Sequence, residues 1–304
     1  MTLTLRAGDL HVRLDPGTGG AIASLAWRGI SLLRPVRDMR LAAQHGRAVA
    51  AYPLIPYANR IDHGRFTLGG LSYQLARNFG DEPHSIHGNG WMRAWAIRES
   101  GPAYARLTLD HRPPHDPVTE WPFAYQAEQI FSASDDRLEI RLSLLNQDSV
   151  AFPAGIGLHP YVARTPKSTL CFEADTIWRT GADGLPAGRI AVPADLAFDR
   201  PRPIGALEID TCFAGWGGSA TLLMPEHQLL LHIEAGPPLD HFQVYTPMGQ
   251  DYCGLEPVSN MPDGINRMGS ISDQGMVMLA PGQSLMSRVT FSSFISPAKK
   301  HVLF

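Results

Sequence analysis

The chain has 304 residues, of which 44% are hydrophobic and 18% charged, and its formal net charge is -3. That balance supports a large buried core and argues against disorder. The absence of any basic cluster longer than a pair excludes an electrostatic footprint for nucleic acid or anionic lipid.

Met1 to Asp9 lack the apolar core of a signal peptide, and no segment approaches the ~20 consecutive apolar residues of a membrane-spanning helix. The expected compartment is the cytoplasm, with no membrane partner. Cys171, Cys212 and Cys253 are odd in number and widely spaced, which suits neither a disulfide framework nor a metal knuckle. They read as small core residues.

Apolar and polar residues alternate from the start, in Leu3 to Leu5 and again in Leu10 to Leu14, with Ala7-Gly8-Asp9 as the turn of an opening hairpin. Arg65 to Leu68 and Leu71 to Leu75 flank Gly69-Gly70, a tight two-residue turn. Further period-two runs pair across turn chemistry: Phe123 to Phe131 with Leu138 to Leu144, Ala220 to Met224 with Gln228 to Ile233, and Met276 to Leu279 with Leu285 to Phe291. No long stripe of 3.6-residue period occurs. With 25 prolines and 29 glycines punctuating short strands, the pattern predicts an antiparallel all-β protein with long functional loops. Periodicity does not choose between sandwich and barrel. No internal repeat or linker composition divides the chain, so residues 1–304 are expected to form a single domain.

Polar chemistry gathers at a few points. Asn59-Arg60 lies between an apolar approach, Ile55-Pro56-Tyr57-Ala58, and a strand. It reads either as a surface turn with a salt bridge or as a sugar-binding corner whose guanidinium offers a fork of donors to hydroxyl oxygens. His84 and His87 stand three apart in a glycine-rich loop with no carboxylate or cysteine at ligand spacing, so no metal is expected. Trp91 could be core or could stack on a pyranose ring. His159, in Gly157-Leu158-His159-Pro160-Tyr161, and Glu256, in Cys253-Gly254-Leu255-Glu256-Pro257, each sit on apolar flanks beside a proline. An imidazole and a carboxylate so placed are the material of a general acid and base, and a carboxylate ending an apolar strand is costly unless it is paired or works.

These motifs together resemble the aldose 1-epimerase (galactose mutarotase) family, in particular its shorter branch with Leu-His-Pro-Tyr. The similarity rests on Asn59-Arg60-Ile61-x-x-Gly64-x-Phe66 with Tyr73, Leu75 and Asn78 following, and on Ile86-His87-Gly88, Leu158 to Tyr161, Glu256-Pro257 and Pro262-Asp263-Gly264-Ile265-Asn266. It runs from about Pro53 to Asn266.

The resemblance implies a large antiparallel β-supersandwich with the active site in a groove on one sheet. It implies that Glu256 is the general base on the anomeric hydroxyl and His159 the general acid on the ring oxygen. Asn59, Arg60, His87, Asp210 and Gln243 are implied as sugar-binding residues, and the substrate as a free aldose acted on without cofactor. Glu256 beside His159 would favour the charged imidazole. Departures from the family pattern at Pro257-Val258 and Tyr161-Val162 sit near the presumed pocket and leave galactose, glucose and arabinose all open. Two alternatives accompany this reading. One is a hexose-6-phosphate 1-epimerase, for which Arg60, Arg65 and Arg93 are the candidate cations. The other is a non-catalytic carbohydrate-binding protein on the same fold.

Overall fold

A computed structural model describes residues 2–34, 36 and 49–296. Among the described residues the chain is almost entirely antiparallel strand, with only short 3-10 turns as helix. One large sheet has eleven strands and a second has nine, and three small two-stranded pairs accompany them.

Local chemistry explains most of the strands. Leu3–Ala7 and Leu10–Asp15 pair as a hairpin, Arg65–Leu68 and Leu71–Gln74 pair across Gly69-Gly70, and both turn glycines have positive φ. In the nine-stranded sheet, Tyr125–Ser134 and Arg137–Asn146 alternate buried and more exposed residues along their length. Their inward set, with Phe131, Leu138, Ile140 and Leu142 fully buried, joins the inward set of the larger sheet in one core that includes Leu158, Phe242 and Leu255. A leucine buried this completely stabilises the fold by about 1.5–3 kcal/mol.

One expected hairpin does not form. Val277–Leu279 pairs with Phe152–Ala154, whereas Ser284–Ile295 crosses to the nine-stranded sheet and lies between Arg137–Asn146 and Leu229–Ala235. The turn between them is real but is bonded to another strand end. Asn146 accepts from the Gly282 amide at 3.0 Å, and its own amide donates to the Gln283 carbonyl at 2.9 Å. Turn chemistry thus reports a reversal of direction without reporting the pairing partner.

The centre of the eleven-stranded sheet breaks the alternation seen elsewhere. Ala51–Leu54 is buried throughout, as are all but one end residue of Gly157–Ala163 and of Tyr252–Val258. One face of these strands meets the core, and the other is covered by loops, so polar residues on the second face lie in a roofed groove.

Candidate active site

Sheet register assembles the groove floor. Tyr52 stands opposite His159, Glu256 opposite Gln243, and Gln243 opposite Cys212. Between the histidine and glutamate strands the pairs Gly157 with Val258 and Tyr161 with Gly254 fix the register on either side, which brings His159 across from Glu256. Tyr52, His159, Glu256, Gln243 and Cys212 therefore form one row across adjacent strands, and successive residues of a row share a face. His159 Nε2 lies 3.2 Å from Glu256 Oε1. The two residues are only 5% and 2% exposed.

The walls come from loops held in unusual backbone conformations. Asn59 and His87 flank the short pair Arg60–Ile61 and Ser85–Ile86, with φ of 61° and 64°. Such angles are costly for residues with side chains and collect at functional sites. The two residues lock each other: the Asn59 amide donates to His87 Nδ1 at 3.1 Å, and the His87 amide donates to the Asn59 carbonyl at 2.9 Å. Gly88 follows at φ 66°, and a Cβ there would stand 2.1 Å from the Ile55 carbonyl oxygen, so only glycine lets this loop close over the sheet.

A polar ring joins wall to floor. Asn59 Nδ2 donates to Gln243 Oε1 at 3.2 Å, and Gln243 Nε2 donates to Asp210 Oδ1. Arg60 lies 3.8 Å from Asp210 and donates to both carboxylate oxygens of Glu82, at 3.2 and 3.3 Å. The cavity these groups enclose is about 400 Å³. It brings together Asn59, Arg60, His87, His159, Asp210, Gln243 and Glu256, which the sequence motifs single out over about two thirds of the chain.

Other expectations are corrected. Arg65 bonds to Gln74, and Arg93 is paired with Asp116 and Glu120; neither lines the cavity. Trp91 packs behind the site against Tyr52 and Phe79 and donates to the Gly88 carbonyl at 3.0 Å. Phe79, not Trp91, lines the cavity. His84 turns away from His87: its Nδ1 accepts the His63 amide at 3.0 Å and its Nε2 meets the Asp183 carbonyl at 2.8 Å. The ligating atoms of Asp62, His63 and His84 lie within 4.8 Å of one another, but both ring nitrogens of His84 are already engaged by backbone.

Arg34, Asp81, Glu82, Tyr245 and Tyr252 also line the cavity and were not singled out from the sequence. Tyr245 is two residues from Gln243, and Tyr252 is four from Glu256 on the same strand face, so period two could have found them. Arg34, Asp81 and Glu82 arrive from irregular segments that carry no such signal.

Burial governs the charge states. It lowers the His159 imidazole to about 3, assisted by the Arg34 guanidinium. It raises the Glu256 carboxyl well above the ordinary range, assisted by Asp210 and opposed by Arg60. The expectation that Glu256 keeps His159 charged is therefore reversed: desolvation favours a carboxylic acid beside a neutral imidazole, one transferable proton between them. Burial, with His159 and Arg60, also holds His87 neutral. Because His87 Nδ1 accepts from Asn59, the His87 proton resides on Nε2.

Comparison with known proteins agrees with this architecture. The uncharacterized protein YphB of Escherichia coli (strain K12) is 29% identical over 297 residues, covering 94% of this chain and 97% of that one. A galactose mutarotase-like protein from Clostridium acetobutylicum superposes with a TM-score of 0.88 at 17% identity, over 97% of this chain and 95% of that one. Galactose 1-epimerase from Lactobacillus acidophilus NCFM superposes with a TM-score of 0.77 at 16% identity, over 96% and 94%. These two likenesses show a shared all-β fold. The family model described as aldose 1-epimerase matches residues 1–292, and the chain belongs to that family.

Proposed function

We propose that the protein interconverts the α and β anomers of a free aldose, with Glu256 and His159 as the acid–base pair. The observation that carries this reading is the 3.2 Å contact between His159 Nε2 and Glu256 Oε1 on the floor of a polar cavity. Mutarotation requires one proton to leave the C1 hydroxyl and one to reach the ring oxygen. The C1–O5 bond then opens, the aldehyde rotates, and the ring closes on its other face. A pair that holds a single proton can serve both transfers without a covalent intermediate.

In the resting site that proton sits on the carboxyl side. Moving it along the 3.2 Å contact gives a carboxylate and an imidazolium. Hydroxyls of a bound sugar that donate to the carboxylate favour this form, because hydrogen bonds to a charged group stabilise it. Glu256 then takes the C1 proton while His159 gives its proton to O5. Asn59, Arg60, His87, Asp210 and Gln243 orient the sugar, His87 through its Nε2 proton and Arg60 through a guanidinium steadied by Glu82.

The wall chemistry favours a neutral sugar over a phosphorylated one. Arg60 is engaged by Glu82 and Asp210, and Asp81 lines the same cavity, so a phosphate would meet several carboxylates. The direct test is the polarimetric rate of α to β conversion of freshly dissolved D-galactose, D-glucose and L-arabinose, with Glu256→Gln alongside. Acceleration by the wild type that is lost in the variant supports the assignment. Binding of these sugars without acceleration would instead leave a carbohydrate-binding protein.

A further inference from the structure

Arg34 stands at the cavity edge in a setting that the sequence motifs do not explain. Its amide donates to the Tyr161 carbonyl at 2.8 Å, and its Nη2 donates to the Val49 carbonyl at 2.8 Å. The guanidinium carbon lies 3.8 Å from the centre of the Tyr161 ring and 4.3 Å from that of Tyr252. The two tyrosine rings meet edge to face at 84°, forming a corner that a planar cation fills. The same Tyr161 ring packs on the His159 imidazole at 4.4 Å between centroids. One aromatic ring thus joins the cation to the imidazole.

We propose that Arg34 is a positioning residue for the acid–base pair, its charge held one aromatic ring away from the His159 imidazole by the Tyr161–Tyr252 corner so that the imidazolium passes its proton readily to the substrate's ring oxygen. The neighbours of His159 make this charge effective. From the strand on one side comes Glu256, from the other Tyr52, from the covering loop His87 at 5.3 Å between centroids, and from its own strand Tyr161. Tyr52, Tyr161 and His87 are held neutral by burial. Arg60 acts on His87 and Glu256, and its charge is offset by Glu82 and Asp210. Among the described residues Arg34 acts on the imidazole after burial itself, in the direction of proton release. An acid that gives up its proton more easily at the moment C1–O5 opens lowers the barrier to ring opening.

The inference rests on the proposed acid–base reading, and two readouts separate their failures. The first is the ¹⁵N signal of the His159 imidazole in ligand-free protein, followed from about pH 3 to about pH 8 in wild type, Arg34→Lys and Arg34→Met; Arg34→Gln replaces the methionine variant if that does not fold. Loss of the cation should move the His159 midpoint up by roughly one pH unit, and lysine should restore most of the difference. The second is the pH profile of mutarotation, whose limbs should move to higher pH in Arg34→Met and return in Arg34→Lys. Identical His159 titration in all three proteins, or a slower rate with unmoved limbs, overturns the role of Arg34. A displaced titration with no acceleration of any aldose by the wild type upholds the coupling and overturns the assigned reaction.

Discussion

Gln243 stands directly opposite Glu256 on the neighbouring strand. Its amide, held by Asn59 on one side and Asp210 on the other, ties the loop that walls the cavity to the strand beside the carboxylate. Loss of this tie should disturb binding before chemistry. Gln243→Ala is expected to raise KM by about tenfold or more, in keeping with ~1.5–3 kcal/mol for hydrogen bonds to charged groups, while kcat falls less. Steady-state mutarotation kinetics provide the check.

If His159 and Glu256 work as one acid–base pair that shares a transferable proton, their removal should not be additive. Glu256→Gln and His159→Asn are each expected to lower kcat by about 10²–10⁴-fold, the usual range for a positioned acid or base. The double variant should be little worse than either single one. Rates that multiplied instead would show two groups working independently.

Gly254 protects the contact between them. A Cβ at this position would lie 2.8 Å from Glu256 Oε1 and 3.5 Å from His159 Cε1, closer to the carboxylate than real Cβ atoms come. Gly254→Ala should therefore push the carboxylate off the imidazole and lower kcat by at least about tenfold, because a displacement near 1 Å is enough to impair a catalytic pair. A kcat equal to that of the wild type would show that the pair tolerates the displacement.

The pH dependence of stability carries two opposite signs. Burial raises Glu256 in the folded protein, so its contribution is fully present below the unfolded value near 4.5 and is lost as pH rises through the folded value. Burial depresses His159 from 6.5 to about 3, so its contribution is present above about 6.5 and is lost as pH falls toward 3. Relative to wild type, Glu256→Gln should gain melting temperature as pH rises above the unfolded value near 4.5, and His159→Asn should gain it as pH falls from about 6.5 toward about 3. Melting curves at stepped pH measure both trends. Parallel curves for wild type and variant would mean that the buried pair is not the source.

The local signals in the sequence were sufficient for much of this protein. Alternation and turn residues marked Tyr125–Ser134 and Arg137–Asn146 of the nine-stranded sheet, because each buries one face and leaves the other more exposed. The motif residues Asn59, Arg60, His87, His159, Asp210, Gln243 and Glu256 were legible one by one, and so was the resemblance they carry together. Pairing at long range was not legible. The Pro281-Gly282-Gln283 turn looked like a hairpin and instead sends the chain between two sheets, since turn chemistry is local and strand partners are chosen by the packing of the whole.

Tertiary structure alone placed the site residues in one cavity, set Arg34, Asp81 and Glu82 beside them, and moved Arg65, Arg93 and Trp91 away. It also reversed the expected charge of His159. Proximity to a carboxylate favours an imidazolium, but a pair sealed between a sheet and its covering loops loses more by leaving water than it gains from that neighbour. Burial is a property of the assembled sheets, which no stretch of sequence contains by itself.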